Sequence, residues 1–144
     1  MVRGINYKFW KSKRVLITGH TGFKGTWMTS WLLKLGANIR GLSLPLNKTN
    51  YLFNSIKSSI DSEVGSDYGN ILDRSFLEQS IKEFQPEIIF HFAAQSLVLE
   101  SYADPIKTWE TNLLGTLNLL FSLKQIKNNC SLVIITTDKV YKNK

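Results

Sequence analysis

The sequence predicts an α/β fold, a doubly wound parallel sheet of strand order 3-2-1-4-5 with helices on both faces. Two observations carry that expectation. Short apolar runs of strand length alternate with longer stretches of helical spacing along the 144 residues. The strand-like runs are apolar almost throughout, as strands covered on both faces must be. Strand–helix–strand alternation with right-handed crossovers then gives a parallel sheet, with ligands expected over the carboxyl ends of its strands.

Taken in order, "RVLITG" (Arg14 to Gly19) is a short β-branched run closed by glycine, hence a buried first strand. "KGTWMTSWLLKL" (Lys24 to Leu35) sets Trp27, Trp31, Leu32 and Leu35 at helical spacing, and Gly36 closes the helix. "ANIRGLSL" (Ala37 to Leu44) reads as the second strand. The polar stretch from Pro45 to Ser62 leaves room for one short helix, Tyr51 to Ile56, before a weak third strand, "EVGSDYG". Asp73 caps "RSFLEQSIKEF", which stops before Pro86. "EIIFHFAA" is the fourth strand. Asp104 and Pro105 open a long helix through Trp109, Leu113, Leu117 and Leu120 to about Lys127, and "SLVIITT" (Ser131 to Thr137) is the fifth strand. Tyr7, Phe9 and Trp10, ahead of the first strand, read as packing residues at the amino end of the sheet.

Composition narrows the class. Hydrophobic residues at 43% and charged residues at 20% describe an ordinary globular chain that can bury one core. No apolar stretch reaches membrane-spanning length, and "MVRGINYKFWKSK" has no apolar signal-peptide core, so a cytoplasmic chain without a membrane partner is expected. Cys130 is the single cysteine and reads as a plain thiol, and His20 and His91 have no company for a metal, so no metal site is expected. The formal charge of +7 is spread over scattered lysines without aromatic interleaving. That favours a solvated surface over nucleic-acid binding, and it suits small anionic ligands.

Gly19, Gly22 and Gly25 fall at strand end, turn and helix start. Such a turn brings backbone close to a pyrophosphate, and the helix start favours the anion by about 0.3–1 kcal/mol from its dipole alone. This is a Rossmann-type nucleotide turn with its glycines spaced G-x-x-G-x-x-G. An acidic residue about 20 positions on would take the ribose 2′-hydroxyl of NAD. Here that count reaches Pro45, and nearby Arg40 and Lys48 would instead suit the 2′-phosphate of NADP.

"TGHTGFKG" resembles the cofactor turn of the extended short-chain dehydrogenase/reductase superfamily, and its H-T-G-F-K-G wording is similar to that of the CDP-glucose 4,6-dehydratases. "YLFNSI", "GNILD", "PEIIFHFAAQSLV", "SYADPIKTWETNLLGT" and "ITTDKVY" continue the resemblance in order. It implies NAD across Gly19, Thr21, Gly22, Phe23, Lys24 and Gly25, with the adenine held at Asn70 and Ile71, where relatives carry Asp-Ile or Asp-Leu. It places Phe92, Ala93, Ala94 and Gln95 beside the cofactor ribose, Thr111 near the cofactor, and Asn112 in a structural role. The implied substrate is a nucleotide sugar, CDP-glucose, and the implied assembly a homodimer paired through the long helix.

The resemblance also implies a chemistry for "TTDK". The sugar is oxidised at C4, loses water across C5–C6, and takes hydride back at C6. Thr137 would bond the 4-hydroxyl, Asp138 would protonate the departing 6-hydroxyl, and Lys139 would take the C5 proton. The superfamily's Tyr-x-x-x-Lys base follows the fifth strand. The one such spacing here, Tyr7 to Lys11, precedes the first strand and is read as an accident. The expectation is therefore one NAD(P)-binding domain over residues 1–144, the N-terminal part of a longer enzyme whose last strands and substrate domain lie outside it, and inactive alone. Two other classes stay open: a non-catalytic dinucleotide-binding module, and an epimerase or reductase of another nucleotide sugar.

Overall fold

The computed structural model describes residues 6–48, 50–60, 63–137 and 142. Five strands form one parallel sheet: β1 (Arg14–Thr18), β2 (Asn38–Ser43), β3 (Val64–Tyr68), β4 (Ile88–His91) and β5 (Ser131–Ile134). Their order is β3-β2-β1-β4-β5, the expected Rossmann-like sheet. Between them run α2 (Phe23–Lys34), α3 (Tyr51–Ile60), α4 (Arg74–Phe84), α5 (Val98–Ala103), α6 (Pro105–Trp109) and α7 (Gly115–Ser122), preceded by a single turn, α1 (Tyr7–Trp10).

Alternation along β1 divides the core. Val15 and Ile17 face one side with Leu32, Ile39 and Phe53, while Leu16 faces the other with Leu42, Leu77, Ile81, Ile89 and Leu119. α2 ends in a Schellman motif, with Gly36 N–H on Leu33 O and Ala37 N–H on Leu32 O, and Gly36 at φ 81°. Asp73 caps α4 as expected, its carboxylate accepting from Phe76 N–H at 3.1 Å.

Several details differ from the sequence reading. Trp10 packs against the core, but Tyr7 and Phe9 are exposed. In α2, Leu32 and Leu35 are buried whereas Trp27 and Trp31 stand in solvent; the buried face is Gly25, Thr26, Thr29 and Leu32. Gly25 lies so close to the β1 turn that it fixes the rotation of the helix and turns both tryptophans outward. α3 runs four residues beyond Ile56. β4 ends at His91 and β5 at Ile134, leaving Phe92–Ala94 and Ile135–Thr137 as loop.

The long helix departs most. α5 precedes it, and a π turn, Glu110–Leu114, interrupts it through the bond from Gly115 N–H to Glu110 O. The face toward the core is Gly115, Leu119 and Ser122 rather than the expected row of Trp109, Leu113, Leu117 and Leu120, which is exposed. Gly115 sits against Ile71 with no room for a Cβ, and that approach selects the face.

Three substitutions measure these elements. Asp73→Ala should cost about 1 kcal/mol by loss of the cap, with Asp73→Asn near wild type. Leu77→Ala should cost about 2–5 kcal/mol through the cavity it leaves. Urea unfolding of the three variants reads both values.

Candidate functional site

The β1–α2 turn is built around missing side chains. Gly19 has φ 72°, and a Cβ there would lie 2.8 Å from Ala93 N. A Cβ on Gly25 would collide with the Gly19 carbonyl. Gly22 N–H donates to Gly19 O at 3.0 Å, and Thr26 N–H opens the helix on Gly22 O at 2.8 Å. Gly22 is the N-cap and has no side chain to cap with, so none of its own atoms competes for the first-turn amides of Phe23, Lys24 and Gly25. Backbone that can be approached closely and a bare helix start are what a pyrophosphate needs, and the turn fits one.

The turn rests on a buried imidazole. His20 is fully buried, fills the space over Gly41, stacks edge-on against Phe53, and bonds Ser66 through Nε2 at 3.0 Å. Burial pushes its pKa from 6.5 down to about 4, against smaller upward contributions from the Leu42 carbonyl and the Asp67 carboxylate. Thr21 is tied from outside by Asn50, whose Nδ2 donates to the Thr21 carbonyl at 3.3 Å.

The loop after β4 forms the facing wall. Ala93 N–H donates to Thr18 Oγ1 at 3.2 Å. Asn112, in the π turn, clamps Gln95 twice: Oδ1 accepts from Gln95 N–H at 2.8 Å, and Nδ2 donates to Gln95 O at 2.9 Å. Between the walls lies an open cavity of about 820 Å³, lined by Lys24, Ala93, Ala94 and Gln95, by His91 and Thr116, and by Thr136 and Thr137 at the end of β5. The fold thus brings together the glycine turn, the β4 loop and Thr137. His91, Thr116, Thr18 and Asn50 belong to this frame without having been singled out for it. Only the helical spacing of Asn112 and Thr116 in "TNLLGT" hinted at a shared face.

Other expected positions lie elsewhere. Ile71 is a core residue, and Asn70 turns its Oδ1 onto Leu72 N–H at 3.0 Å. Asn118 holds this segment by donating to the Ile71 and Leu72 carbonyls. Phe92 packs against the core, and Thr111 sits in the π turn outside the cavity lining. Arg40 is not available to a ribose phosphate: it pairs with Asp67 at 3.2 Å and Glu83 at 3.5 Å, three residues short of the end of β2. Lys48 is exposed before α3. Asp138 and Lys139 lie outside the described residues. Among the described residues, no helix is long and apolar enough to cross a membrane, and no group of three metal-ligating side chains occurs.

Comparison with known proteins agrees with this geometry. Residues 16–143 match the family model described as GDP-mannose 4,6 dehydratase. The chain is 45% identical over 140 residues to a CDP-glucose 4,6-dehydratase of Salmonella typhimurium, covering 97% of this chain and 38% of that protein. It is 33% identical over 131 residues to a UDP-glucose 4-epimerase of Mycoplasma pneumoniae, covering 91% of this chain and 37% of that one. The crystal structure of a Bifidobacterium longum UDP-glucose 4-epimerase in complex with NAD+ and UDP superposes with a TM-score of 0.78 at 27% identity, covering 90% of this chain and 38% of that one. The chain spans less than two fifths of the length of the relatives it matches.

The two buried histidines make stability depend on pH. Burial also holds the His91 pKa down, from 6.5 to about 4. An unfolded imidazole binds its proton near 6.5 and the folded one only near 4, so the stabilisation is full above pH 6.5 and is lost as pH falls toward 4. The loss should be on the order of 3 kcal/mol per histidine. Urea midpoints should hold between pH 8 and 7 and then drop steeply to pH 4.5; a flat profile over that range would contradict neutral burial.

Proposed function

The chain belongs to the GDP-mannose 4,6-dehydratase family, and we propose that it forms the NAD-binding domain of a longer nucleotide-sugar 4,6-dehydratase acting on CDP-glucose. The observation that carries this reading is that Lys24 at the glycine turn and Thr137 at the end of β5 line one cavity. A dinucleotide with its pyrophosphate on the turn would reach the strand end that bears "TTDK". The 45% identity to a CDP-glucose 4,6-dehydratase supports the choice of sugar nucleotide.

In this reading the first-turn amides of α2 hold the pyrophosphate, and Asn70 and Ile71 border the adenine. Ala93–Gln95 exclude water from one side of the ribose. NAD, when bound, supplies the acceptor for hydride from C4 of the sugar and its return at C6. Thr137 donates to or accepts from the 4-hydroxyl and orients the ring. Asp138, protonated, gives its proton to the leaving 6-hydroxyl, and Lys139, neutral, takes the proton from C5, made acidic by the neighbouring C4 carbonyl. NAD is preferred over NADP because Arg40 is spent on Asp67 and Glu83. The exposed row of Trp109, Leu113, Leu117 and Leu120 suits pairing with a second copy.

The 33% identity to a UDP-glucose 4-epimerase favours a second reading, an epimerase on the same cofactor turn. Lysine at 139 separates the two, since 4-epimerisation does not remove the C5 proton.

Titrated with NAD, the 144-residue chain should saturate, and NADP should bind about tenfold more weakly or less. Gly22→Ala, whose methyl would stand 3.3 Å from the Gly19 carbonyl at the start of α2, should weaken NAD by about tenfold or more. The absence of saturable NAD binding would overturn the proposal. The 144 residues alone should give no 4-keto-6-deoxy product. In a chain carrying the rest of the enzyme, Lys139→Ala should lower its formation about 10²–10⁴-fold while NAD affinity stays constant.

A further inference from the structure

His91 has no place in the chemistry above, yet it is 3% exposed and has polar partners on both ring nitrogens. Thr18 Oγ1 stands 2.6 Å from Nδ1, and Thr116 Oγ1 stands 3.0 Å from Nε2. The protons in this chain have only one consistent arrangement. Thr116 spends its hydrogen on the Asn112 carbonyl at 2.7 Å, because a carbonyl only accepts. Thr116 Oγ1 must therefore accept from Nε2–H. A neutral ring then leaves Nδ1 bare, so Thr18 donates to Nδ1 while accepting from Ala93 N–H.

These bonds form a closed circuit. Ala93 is held by Thr18, Thr18 by His91, His91 by Thr116 and Thr116 by the Asn112 backbone, and the Asn112 side chain returns to Gln95 through two bonds. Gln95 closes the ring through two residues of backbone to Ala93. The π turn has a part in it, because the residue whose carbonyl takes the Thr116 hydrogen is also the residue whose side chain clamps the loop.

We propose that His91 is a positioning residue: as the neutral Nε2–H tautomer it closes a ring of hydrogen bonds through Thr18, Ala93, Gln95, Asn112 and Thr116. That ring fixes Ala93–Gln95 as the wall of the cofactor cavity. The role in cofactor binding rests on the dinucleotide reading above; the ring itself does not. Ring and cavity share His91, Ala93, Gln95, Asn112 and Thr116, so loosening any link moves the wall against which a ribose would lie. Thr18 adds the other anchor, one residue before the Gly19 that presses on Phe92 and Ala93.

Nitrogen chemical shifts of His91 in the 144-residue chain give the direct test. The expected result is a bare Nδ1 and a protonated Nε2 from pH 8 down to about pH 5. Thr116→Val, which leaves His91 Nε2–H without its acceptor, should raise hydrogen exchange at the Gln95 amide about tenfold and weaken NAD about three- to tenfold. Thr116→Ser, which keeps the hydroxyl, should restore both. An Nδ1–H tautomer, or Thr116→Val with wild-type exchange and NAD affinity, overturns the proposal. Failure of the wild-type chain to bind NAD would sink the dinucleotide reading alone, because tautomer and amide exchange still decide the ring.

Discussion

The approach of Gly25 to the carbonyl of Gly19 is the contact on which the rest of the molecule is registered. It draws the first turn of α2 onto the end of β1 more closely than any side chain would permit. The rotation of the helix follows, since Gly25, Thr29 and Leu32 succeed one another at helical spacing and all three become the buried face. The bond from Thr26 Oγ1 to the His20 carbonyl at 3.2 Å locks the same orientation. Two large aromatic residues are left in solvent as a consequence. Their burial would be worth a few kcal/mol, about 1.5–3 for a large apolar side chain, yet the turn takes precedence because helix and strand are joined by only four residues.

A second constraint is the polarity of the core at this end of the sheet. Thr18, His20, Thr26 and His91 are all buried within a few residues of the strand ends, where a purely apolar core would be the simpler solution. They are hydrogen-bonded across the fold: His20 to Ser66 in β3, Thr18 to the Ala93 amide in the loop after β4, Thr26 to the His20 carbonyl, and His91 to Thr18 and Thr116. Unpaired polar atoms remain few, His20 Nδ1 and Thr29 Oγ1 among the described residues. The opposite end of the sheet is held differently, by Glu87 between Lys13 and Arg14, where hydrogen bonds from Lys13 Nζ and the Arg14 backbone N–H keep its carboxyl below the usual range. Partly exposed pairs of this kind contribute little.

The sheet and its order were legible because β1 and β4 carry continuous apolar runs, and because the glycine spacing announces a strand-to-helix turn. Helix faces were less so. In α2 and in the long helix, several apolar residues at helical spacing, Trp27, Trp31, Trp109, Leu113, Leu117 and Leu120, are exposed, and the core faces carry Gly25, Thr29, Gly115 and Ser122 beside Leu32 and Leu119. Periodicity counts hydrophobicity, and a face selected by close backbone approach has little of it. The π turn left no trace either, since it adds one residue without any change in composition. Within the site, residues defined by backbone access could be read from the glycines. Those defined by hydrogen bonding across the fold, His91 to Thr116 and Asn112 to Gln95, could not, because their partners lie 25 and 17 positions away.

The position of the cavity follows from the topology itself. β1 is flanked by β2 on one side and β4 on the other, so the chain leaves β1 in one direction and returns on the opposite side of it. The connections after β1 and β4 therefore diverge. What fills the gap between them must be met by backbone from the β1 turn and by the β4 loop at once. Lys24 and Thr137, far apart in sequence, reach one space because β5 pairs beside β4 in register, His91 opposite Ile134. Placing the last strand there brings Thr136 and Thr137 to the same cavity as Lys24 of the glycine turn. The parallel sheet, rather than any local motif, brings these two distant segments to one cavity.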